Sequence, residues 1–179
     1  MTDSRRCDAP DGRVPGGLRP NIVAKVSGKH PAPTVWVCAH LDVVPAGDLG
    51  QWNSDPFRLT VAGDKVYGRG TEDNHQAVVS GLLAVKALRE LNIPPLHDVG
   101  LVIVSDEETG SEYGLGYLLK NHQDIFRPGD WFIVPDAGDP QGIGKERLLA
   151  QISSEGQAMS RLNAGAGRQR HARGCAFDR

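Results

Sequence analysis

The sequence predicts an α/β fold, a three-layer sandwich built on a mixed, largely parallel sheet. Three short apolar runs are typical of strands buried on both faces: Thr34–Ala39, Val99–Val104 and Trp131–Val134. Segments with helical spacing of apolar residues separate these runs along the chain. Apolar strands that alternate with helices predict a parallel centre, because parallel neighbours need a long crossover connection between them.

The remaining elements are predicted from apolar patterns that end at Gly, Pro or Asn. They are a strand at Asn21–Val26, a hairpin of Phe57–Val61 and Lys65–Tyr67, a helix from Asp73 or Asn74 to Leu91, and a helix at Tyr113–Asn121. Residues 1–18 are polar and rich in Gly and Pro, which predicts an irregular lead-in.

Length, net charge and apolar content indicate a globular protein of about one domain. The chain has 179 residues, the usual size of one domain, and a formal net charge of −2, so we expect neither nucleic acid nor an anionic membrane as a partner. No apolar stretch reaches the roughly 20 residues of a membrane span. The segment Met1–Pro20 lacks the apolar run of a signal peptide, and a cytoplasmic location is expected.

The three cysteines, Cys7, Cys38 and Cys175, are an odd number without the spacing of a disulfide framework or a CxxC zinc site. A reducing compartment is the simpler interpretation. Cys38 lies two residues before His40 and shares its strand face. A thiol ligand or nucleophile is one interpretation of Cys38, and a buried core cysteine is the one we favour.

The composition changes after about residue 145. Residues 145–179 hold seven Lys or Arg against three acids, with Phe177 as the one aromatic residue. The segment shows no regular apolar period and predicts an anomalous, disordered tail. A basic arm for nucleic acid is the alternative, and a non-native tail is the interpretation we favour.

Acidic and imidazole side chains follow each of the three predicted buried strands. His40 and Asp42 end the first, Asp106, Glu107 and Glu108 follow the second, and Asp136 follows the third. In a parallel sheet these ends meet at one edge, where ligands gather. Asp73, at the start of the long predicted helix, adds a further carboxylate.

Each of these residues has an ordinary interpretation when taken alone. Asp73 is typical of a helix N-cap, the pair Glu107–Glu108 of a solvated helix start, and Asp136 of a turn. Their order and their common position at strand ends favour a two-metal hydrolytic site instead. Imidazole with carboxylates suits Zn²⁺, or Co²⁺ or Mn²⁺ in its place. Asp42 is placed to accept the other ring N–H of His40.

Five motifs in this order resemble the M20 family of metallopeptidases, which includes aminoacylases, carboxypeptidase G-type enzymes, acetylornithine deacetylase, succinyl-diaminopimelate desuccinylase and dipeptidases. The motifs are HLDVVPAGD (40–48), WNSDPF (52–57), YGRGTED (67–73), DEETG (106–110) and PDAG (135–138). The resemblance covers about residues 19–142. It implies a zinc-peptidase-like catalytic domain at residues 19–144, which is incomplete.

The resemblance also implies a role for each site residue. His40 and Asp136 would bind one zinc ion, Asp73 would bridge both ions, and Glu108 would bind the second. Glu107 would be the catalytic general base, and Asp42 would orient His40. The reaction would cleave an amide bond in an N-acyl amino acid or a short peptide, which would be the small-molecule partner.

The chain departs from the family pattern in two ways. The family's second zinc also takes a histidine from near the end of a much longer chain, and no residue here matches it; His171 has no family context. The inserted domain that carries the family's homodimer contacts is also expected to be absent. The alternatives are therefore an inactive metal-binding fragment and an M28-type aminopeptidase, which uses a similar ligand order.

Overall fold

The computed structural model describes residues 3–136 and 149–151 of the chain. Within these residues the strands are β1 (Asp3–Pro10), β2 (Leu18–Val26), β3 (His30–His40), β4 (Thr60–Ala62), β5 (Lys65–Tyr67), β6 (His97–Val104), β7 (Trp131–Ile133) and β8 (Leu149–Gln151), and the helices are α1 (His75–Glu90) and α2 (Leu115–Asn121). A short 3-10 turn, Leu49–Gln51, interrupts the long loop after β3. Neither of the two described helices has the length and apolarity needed to cross a membrane.

Six of the strands form one mixed sheet in the order β1-β2-β6-β3-β7-β8, while β4 and β5 form a separate hairpin. The central strand β3 pairs in parallel with β6 on one side and with β7 on the other. The outer pairings, β1 with β2, β2 with β6 and β7 with β8, are antiparallel. The predicted parallel centre is confirmed, and antiparallel strands flank it on both sides.

The prediction of an irregular lead-in at residues 1–18 is wrong for the strand β1. This strand pairs with β2 along its whole length, from Asp3 opposite Lys25 to Pro10 opposite Leu18. Its first residues are polar and exposed, so they carry no strand signal, whereas Cys7 and Ala9 are buried. Pairing with the next strand along the chain decides this strand, rather than its own apolar pattern.

Helices on both faces of the sheet confirm the three-layer arrangement. On one face, α1 lies close against β3 and β6: a Cβ on Gly81 would sit 3.2 Å from Leu101 and 3.4 Å from Val37. On the other face, Leu118 of α2 joins a core cluster. That cluster is formed by Cys7, Val23, Trp36, Cys38, Val102, Val104, Leu118, Phe126 and Phe132.

The ends of the predicted elements shift by a few residues, but their order holds. The hairpin strand predicted at Phe57–Val61 occupies Thr60–Ala62, and the strand predicted at Asn21–Val26 begins at Leu18. The predicted boundary at residue 144 and the predicted tail at 145–179 lie outside the described residues, apart from β8. The division of the chain into these segments therefore stays a prediction.

The parallel centre sets the position of the functional edge. His40 ends β3 opposite Val104, which ends β6, and β7 runs in the same direction to Ile133. The three strands therefore deliver their following loops to one edge of the sheet.

Candidate metal centre

His40 is the buried centre of this edge. As the last residue of β3 it is 2% exposed and lies on the same sheet face as Cys38. Its Nδ1 donates a hydrogen bond to the backbone carbonyl of Asp42 at 2.8 Å. Because Nδ1 carries the proton in that bond, the neutral ring presents a lone pair at Nε2.

Two carboxylates face this nitrogen. Nε2 of His40 lies 3.0 Å from Oδ1 of Asp73 and 3.5 Å from Oδ1 of Asp136. Among the residues that the structure describes, these three form the one group of ligand side chains whose donor atoms lie within 4.8 Å of one another. The order of residues along the chain predicted that these three side chains would meet, and the structure brings them together.

The donor set fits a divalent metal ion. His40 Nε2 is buried and has no hydrogen-bond partner, while two carboxylate oxygens lie within 3.5 Å of it, so a cation at this point would satisfy all three atoms. Ligand atoms about 2.0–2.1 Å from a tetrahedral zinc ion lie roughly 3.3 Å apart, and the two contacts of 3.0 and 3.5 Å bracket that spacing. One imidazole and two carboxylates form a donor set that zinc accepts.

The electrostatics of the cluster favour a positive charge at the same point. Burial by itself lowers the pKa of His40. The carboxylates of Asp136 and Asp73 and the carbonyl of Asp42 together have the larger effect and raise this pKa to about 11. Burial alone would raise the pKa of Asp136, and the neighbouring His40 ring and Asn74 amide bring it below its usual value. A bound cation would satisfy the same carboxylates that raise the pKa of His40.

Asp42 makes a contact that differs from the prediction. Its carboxylate lies 3.6 Å from Nδ1 of His40, and its backbone carbonyl accepts the ring N–H instead. The carboxylate oxygens accept from the backbone N–H groups of Glu107 at 3.1 Å and Glu108 at 3.0 Å. Two adjacent amides offer a carboxylate a better-matched site than one ring nitrogen, so Asp42 fixes the turn that carries both glutamates.

Glu107 and Glu108 form the second half of the edge. Oε2 of Glu107 lies 3.9 Å from Nε2 of His40, and burial, followed by the charge of Asp136, raises the pKa of Glu107 to about 6. Burial also raises the pKa of Glu108, and the charge of Asp73 adds to the effect. Oε1 of Glu108 is buried without a hydrogen-bond partner. Glu108 does not belong to the three-residue group around His40.

A charged network behind this turn was not predicted from the sequence. Asp106 is 1% exposed and accepts hydrogen bonds from the Thr109 hydroxyl and from the Tyr113 N–H at 2.8 Å. It also forms an ion pair with the Arg19 guanidinium at 3.4 Å. Arg19 also donates to buried Asp11 at 2.7 Å. The signal for Asp106 was its place in the DEETG motif. No motif marks Asp11 and Arg19, and the contact of Arg19 with Asp106 is distant in sequence.

Asn74 is a second residue that sequence reasoning missed. It was predicted only as a helix start, yet its side chain makes no capping bond to α1. It is fully buried and contacts both His40 and Asp136. Its position directly after a metal-ligand candidate was the available signal.

The remaining histidines and cysteines of the described residues lie outside the cluster. His75 contacts the Leu41 carbonyl, His122 contacts Arg5, and the ring of His97 lies beside that of His30. Cys38 is 5% exposed, and burial together with Asp136 and Glu107 raises its pKa to about 12, which fits a core cysteine rather than a nucleophile. His171 lies outside the described residues.

One wall of the site is the loop after β3. The Trp52 indole N–H donates to the Ala46 carbonyl at 2.9 Å, and the Arg69 guanidinium lies 5.2 Å from the centre of the Trp52 ring. Gly70 has φ +81°, and a Cβ there would lie 2.6 Å from Val43, so only glycine allows this close approach. The YGRG segment therefore holds the loop that follows His40.

Comparison with known proteins gives a consistent result. The model of peptidase family M20/M25/M40 matches residues 36–159, a span that continues past the predicted boundary at 144. An uncharacterised metallohydrolase of Methanocaldococcus jannaschii is 47% identical over 136 residues, which are 73% of this chain and 33% of that protein. A succinyl-diaminopimelate desuccinylase of Delftia acidovorans is 32% identical over 143 residues, which are 79% of this chain and 36% of that protein.

Solved structures with a similar fold are also peptidases by name. The crystal structure of human carnosine dipeptidase 1 superposes with a TM-score of 0.60 at 31% identity, over 75% of this chain and 29% of that one. An M20 family metallo-carboxypeptidase of Sulfolobus solfataricus gives a TM-score of 0.58 at 31% identity, over 69% of this chain and 28% of that one. The chain spans about a third of the length of the curated relatives it matches. On the family match and on the shared fold, the chain belongs to peptidase family M20/M25/M40.

Proposed function

We propose that this chain carries the catalytic edge of a dinuclear zinc hydrolase that cleaves amide bonds in N-acyl amino acids or short peptides. The observation that carries the proposal is the convergence of His40, Asp73 and Asp136 on one point, with Glu107 at 3.9 Å from the same His40 nitrogen. This arrangement puts three ligands and a carboxylate base at one rim. The family match supports the same chemistry.

The proposal gives each ligand a place. His40, Asp73 and Asp136 would hold the first ion, and Glu108 together with Asp73 would hold the second. The buried Oε1 of Glu108, which has no hydrogen-bond partner, supports a ligand role, because a buried carboxylate oxygen without a donor is unfavourable unless a cation satisfies it. Co²⁺ or Mn²⁺ could replace Zn²⁺ in such a donor set.

Glu107 is the proposed general base. When bound, a pair of zinc ions lowers the pKa of a water and polarises the substrate carbonyl. Glu107 would take a proton from the attacking water and pass it to the leaving amine nitrogen. Its backbone N–H is fixed by Asp42, and its carboxylate is about one-third exposed, so it faces both the cluster and the solvent side where a substrate would enter.

The relatives support a proposal for the substrate class. One is a succinyl-diaminopimelate desuccinylase, and another is a Beta-Ala-His dipeptidase of Rattus norvegicus, 35% identical over 118 residues. Both names describe small molecules with an amide bond beside a carboxylate. We propose a substrate of this kind for the present chain.

The variant Glu107→Gln tests the base. It keeps the size of the side chain and removes its ability to take a proton, so kcat/KM on an N-acetyl amino acid or a dipeptide should fall by about 10²- to 10⁴-fold. The matched control is Glu112→Gln, on an exposed glutamate five residues further along the chain, which should leave activity unchanged. Metal content, measured on the same samples, should be equal in all three proteins. Undiminished turnover in Glu107→Gln would show that another group is the base.

One observation favours a second candidate function, an inactive metal-binding fragment. Among the described residues, the first ion has three convergent side chains, whereas Glu108 is not part of any such group. Metal analysis with an activity assay separates the candidates: one tight ion per chain without turnover indicates the fragment, and two ions with turnover indicate the hydrolase. The M28-type alternative is not supported, since the family model and the relatives are those of M20. Homodimer contacts and a cytoplasmic location stay predictions.

A further inference from the structure

Asn74 occupies an unusual place for a residue that precedes a helix. Asparagine at a helix start normally accepts a hydrogen bond from the first turn of that helix. Asn74 makes no such bond, and its side chain is fully buried between the ends of β3 and β7. Its amide group is therefore engaged elsewhere.

The amide links the elements that carry the metal-ligand candidates. Oδ1 of Asn74 accepts from the backbone N–H of His40 at 3.3 Å. Nδ2 donates to Oδ1 of Asp136 at 2.8 Å and to the Pro135 carbonyl at 3.2 Å. Asp73, the third member of the cluster, is its neighbour in sequence. One side chain thus contacts two of the three ligand residues and adjoins the third.

The hydrogen bond from Asn74 to Asp136 involves the carboxylate oxygen that faces His40. Oδ1 of Asp136 accepts from Asn74 and is also the oxygen that lies 3.5 Å from Nε2 of His40. A carboxylate oxygen has two lone-pair positions. The amide occupies one of them and leaves the other for an ion, and hydrogen bonds of this kind orient ligating carboxylates.

The contact of Asn74 that holds the backbone differs from its contact that orients the Asp136 carboxylate. The loop at Pro135 is held by a second amide, because Gln76 donates to the same Pro135 carbonyl at 2.8 Å. The bond from Asn74 to Pro135 is therefore partly redundant for the path of the chain. Its bond to the Asp136 carboxylate has a different consequence, since it fixes a ligand atom.

We propose that Asn74 is a positioning residue that sets the affinity and geometry of the His40–Asp73–Asp136 metal site by holding Oδ1 of Asp136. The inference rests on the metal-binding part of the proposed function and not on hydrolysis. As a neutral donor, Asn74 orients the carboxylate without adding a positive charge that would compete with the ion.

The test measures metal affinity in the full 179-residue chain without reference to turnover. Asn74→Ala should weaken binding of the first Zn²⁺ by about 10- to 100-fold in a chelator competition, and it should shift the visible absorption bands of the Co²⁺-loaded protein. The matched control is Asn21→Ala. Asn21 is also fully buried and also donates to two carbonyls, those of Cys7 and Tyr113. This control should lose stability while its metal affinity and Co²⁺ spectrum stay as in the wild type.

A double-mutant cycle with Asp136→Asn identifies the contact. If Asn74 acts through Asp136, the loss of affinity caused by Asn74→Ala should be several-fold smaller in the Asp136→Asn background. Should Asn74→Ala not fold, as judged by circular dichroism, Asn74→Ser is used, and the same loss is expected because its hydroxyl does not reach Asp136.

Three outcomes would overturn the inference. Wild-type affinity and spectrum in a folded Asn74 variant would exclude a positioning role. An equal loss in Asn21→Ala would attribute the effect to any buried amide. A wild-type chain that binds no divalent ion would overturn the proposed function together with this inference, whereas normal affinity without turnover would overturn the hydrolase proposal alone.

Discussion

The two halves of the candidate centre are held in different ways. On the β3–β7 side, the candidate ligands His40, Asp73 and Asp136 converge on one point, and the neutral amide of Asn74 contacts His40 and Asp136. On the β6 side, the turn with Glu107 and Glu108 is held by the carboxylate of Asp42.

The support behind each half also differs in charge. Behind the glutamate turn lie buried Asp106 and Asp11, both in contact with the Arg19 guanidinium. Glu107 and Glu108 are therefore anchored near a charged network, while the candidate first metal position is supported by a neutral donor. Where acids must stay free to bind a cation, a neutral hydrogen-bond donor orients them without neutralising them. Where a turn must only be fixed, charge-assisted bonds are the stronger choice.

The largest expected effect comes from removing the shared ligand of the first half. His40→Ala should weaken binding of the first Zn²⁺ by more than about 100-fold, because the imidazole is the one nitrogen donor of the cluster. Glu108→Ala should change that constant by less than about tenfold, since Glu108 lies outside the group. Isothermal titration calorimetry of both variants measures the difference. Equal losses in the two variants would mean that the halves are not separate sites.

Asp42→Asn should affect the second half and spare the first. The variant keeps the backbone carbonyl that accepts from His40 and weakens the acceptor for the Glu107 and Glu108 amides. We expect kcat/KM to fall by about 10- to 100-fold while the affinity for the first ion stays within about threefold of wild type. A loss of first-ion affinity as large as the loss of activity would contradict this division.

Asp106→Asn should destabilise the fold through the glutamate turn. The buried carboxylate accepts from Tyr113 and lies beside Arg19, and an amide cannot replace both contacts. The free energy of unfolding of the metal-free protein should fall by about 1–3 kcal/mol, measured by urea denaturation. Asp64→Asn, in the exposed turn of the β4–β5 hairpin, is the matched control and should be neutral within about 0.5 kcal/mol. A neutral Asp106→Asn would remove this residue from the support of the turn.

The smallest expected effect is on the free energy of unfolding at low pH, and it involves Asp11. Hydrogen bonds from Arg13 and Arg19 hold the pKa of Asp11 well below its usual value. A carboxyl with a lowered pKa in the folded state stabilises the fold above its ordinary pKa of about 3.9, and this contribution is lost as the pH falls below that value. The free energy of unfolding should therefore fall more steeply below about pH 4 in the wild type than in Asp11→Asn. Parallel curves in a series of thermal melts would contradict the linkage.

Much of the candidate site could be predicted because its ligands follow apolar strands. The runs ending at Ala39, Val104 and Val134 have clear patterns, and a parallel centre brings their ends together whatever the details of packing. The direction of the Asp42 carboxylate was not predictable in the same way. Its choice between the His40 ring and the glutamate amides depends on where a turn 65 residues later comes to lie.

The sequence by itself determined the α/β class, the order of the elements, the family and the candidate residues of the first metal position, because apolar periodicity and motif order can be read from the chain alone. Tertiary structure alone decided that residues 3–10 form an edge strand, that Asn74 contacts Asp136, and that Asp11 and Arg19 support the glutamate turn. The physical reason is the same in each case. A polar side chain or an exposed strand carries no apolar pattern of its own, so its contacts are defined only when the fold brings its partner to it.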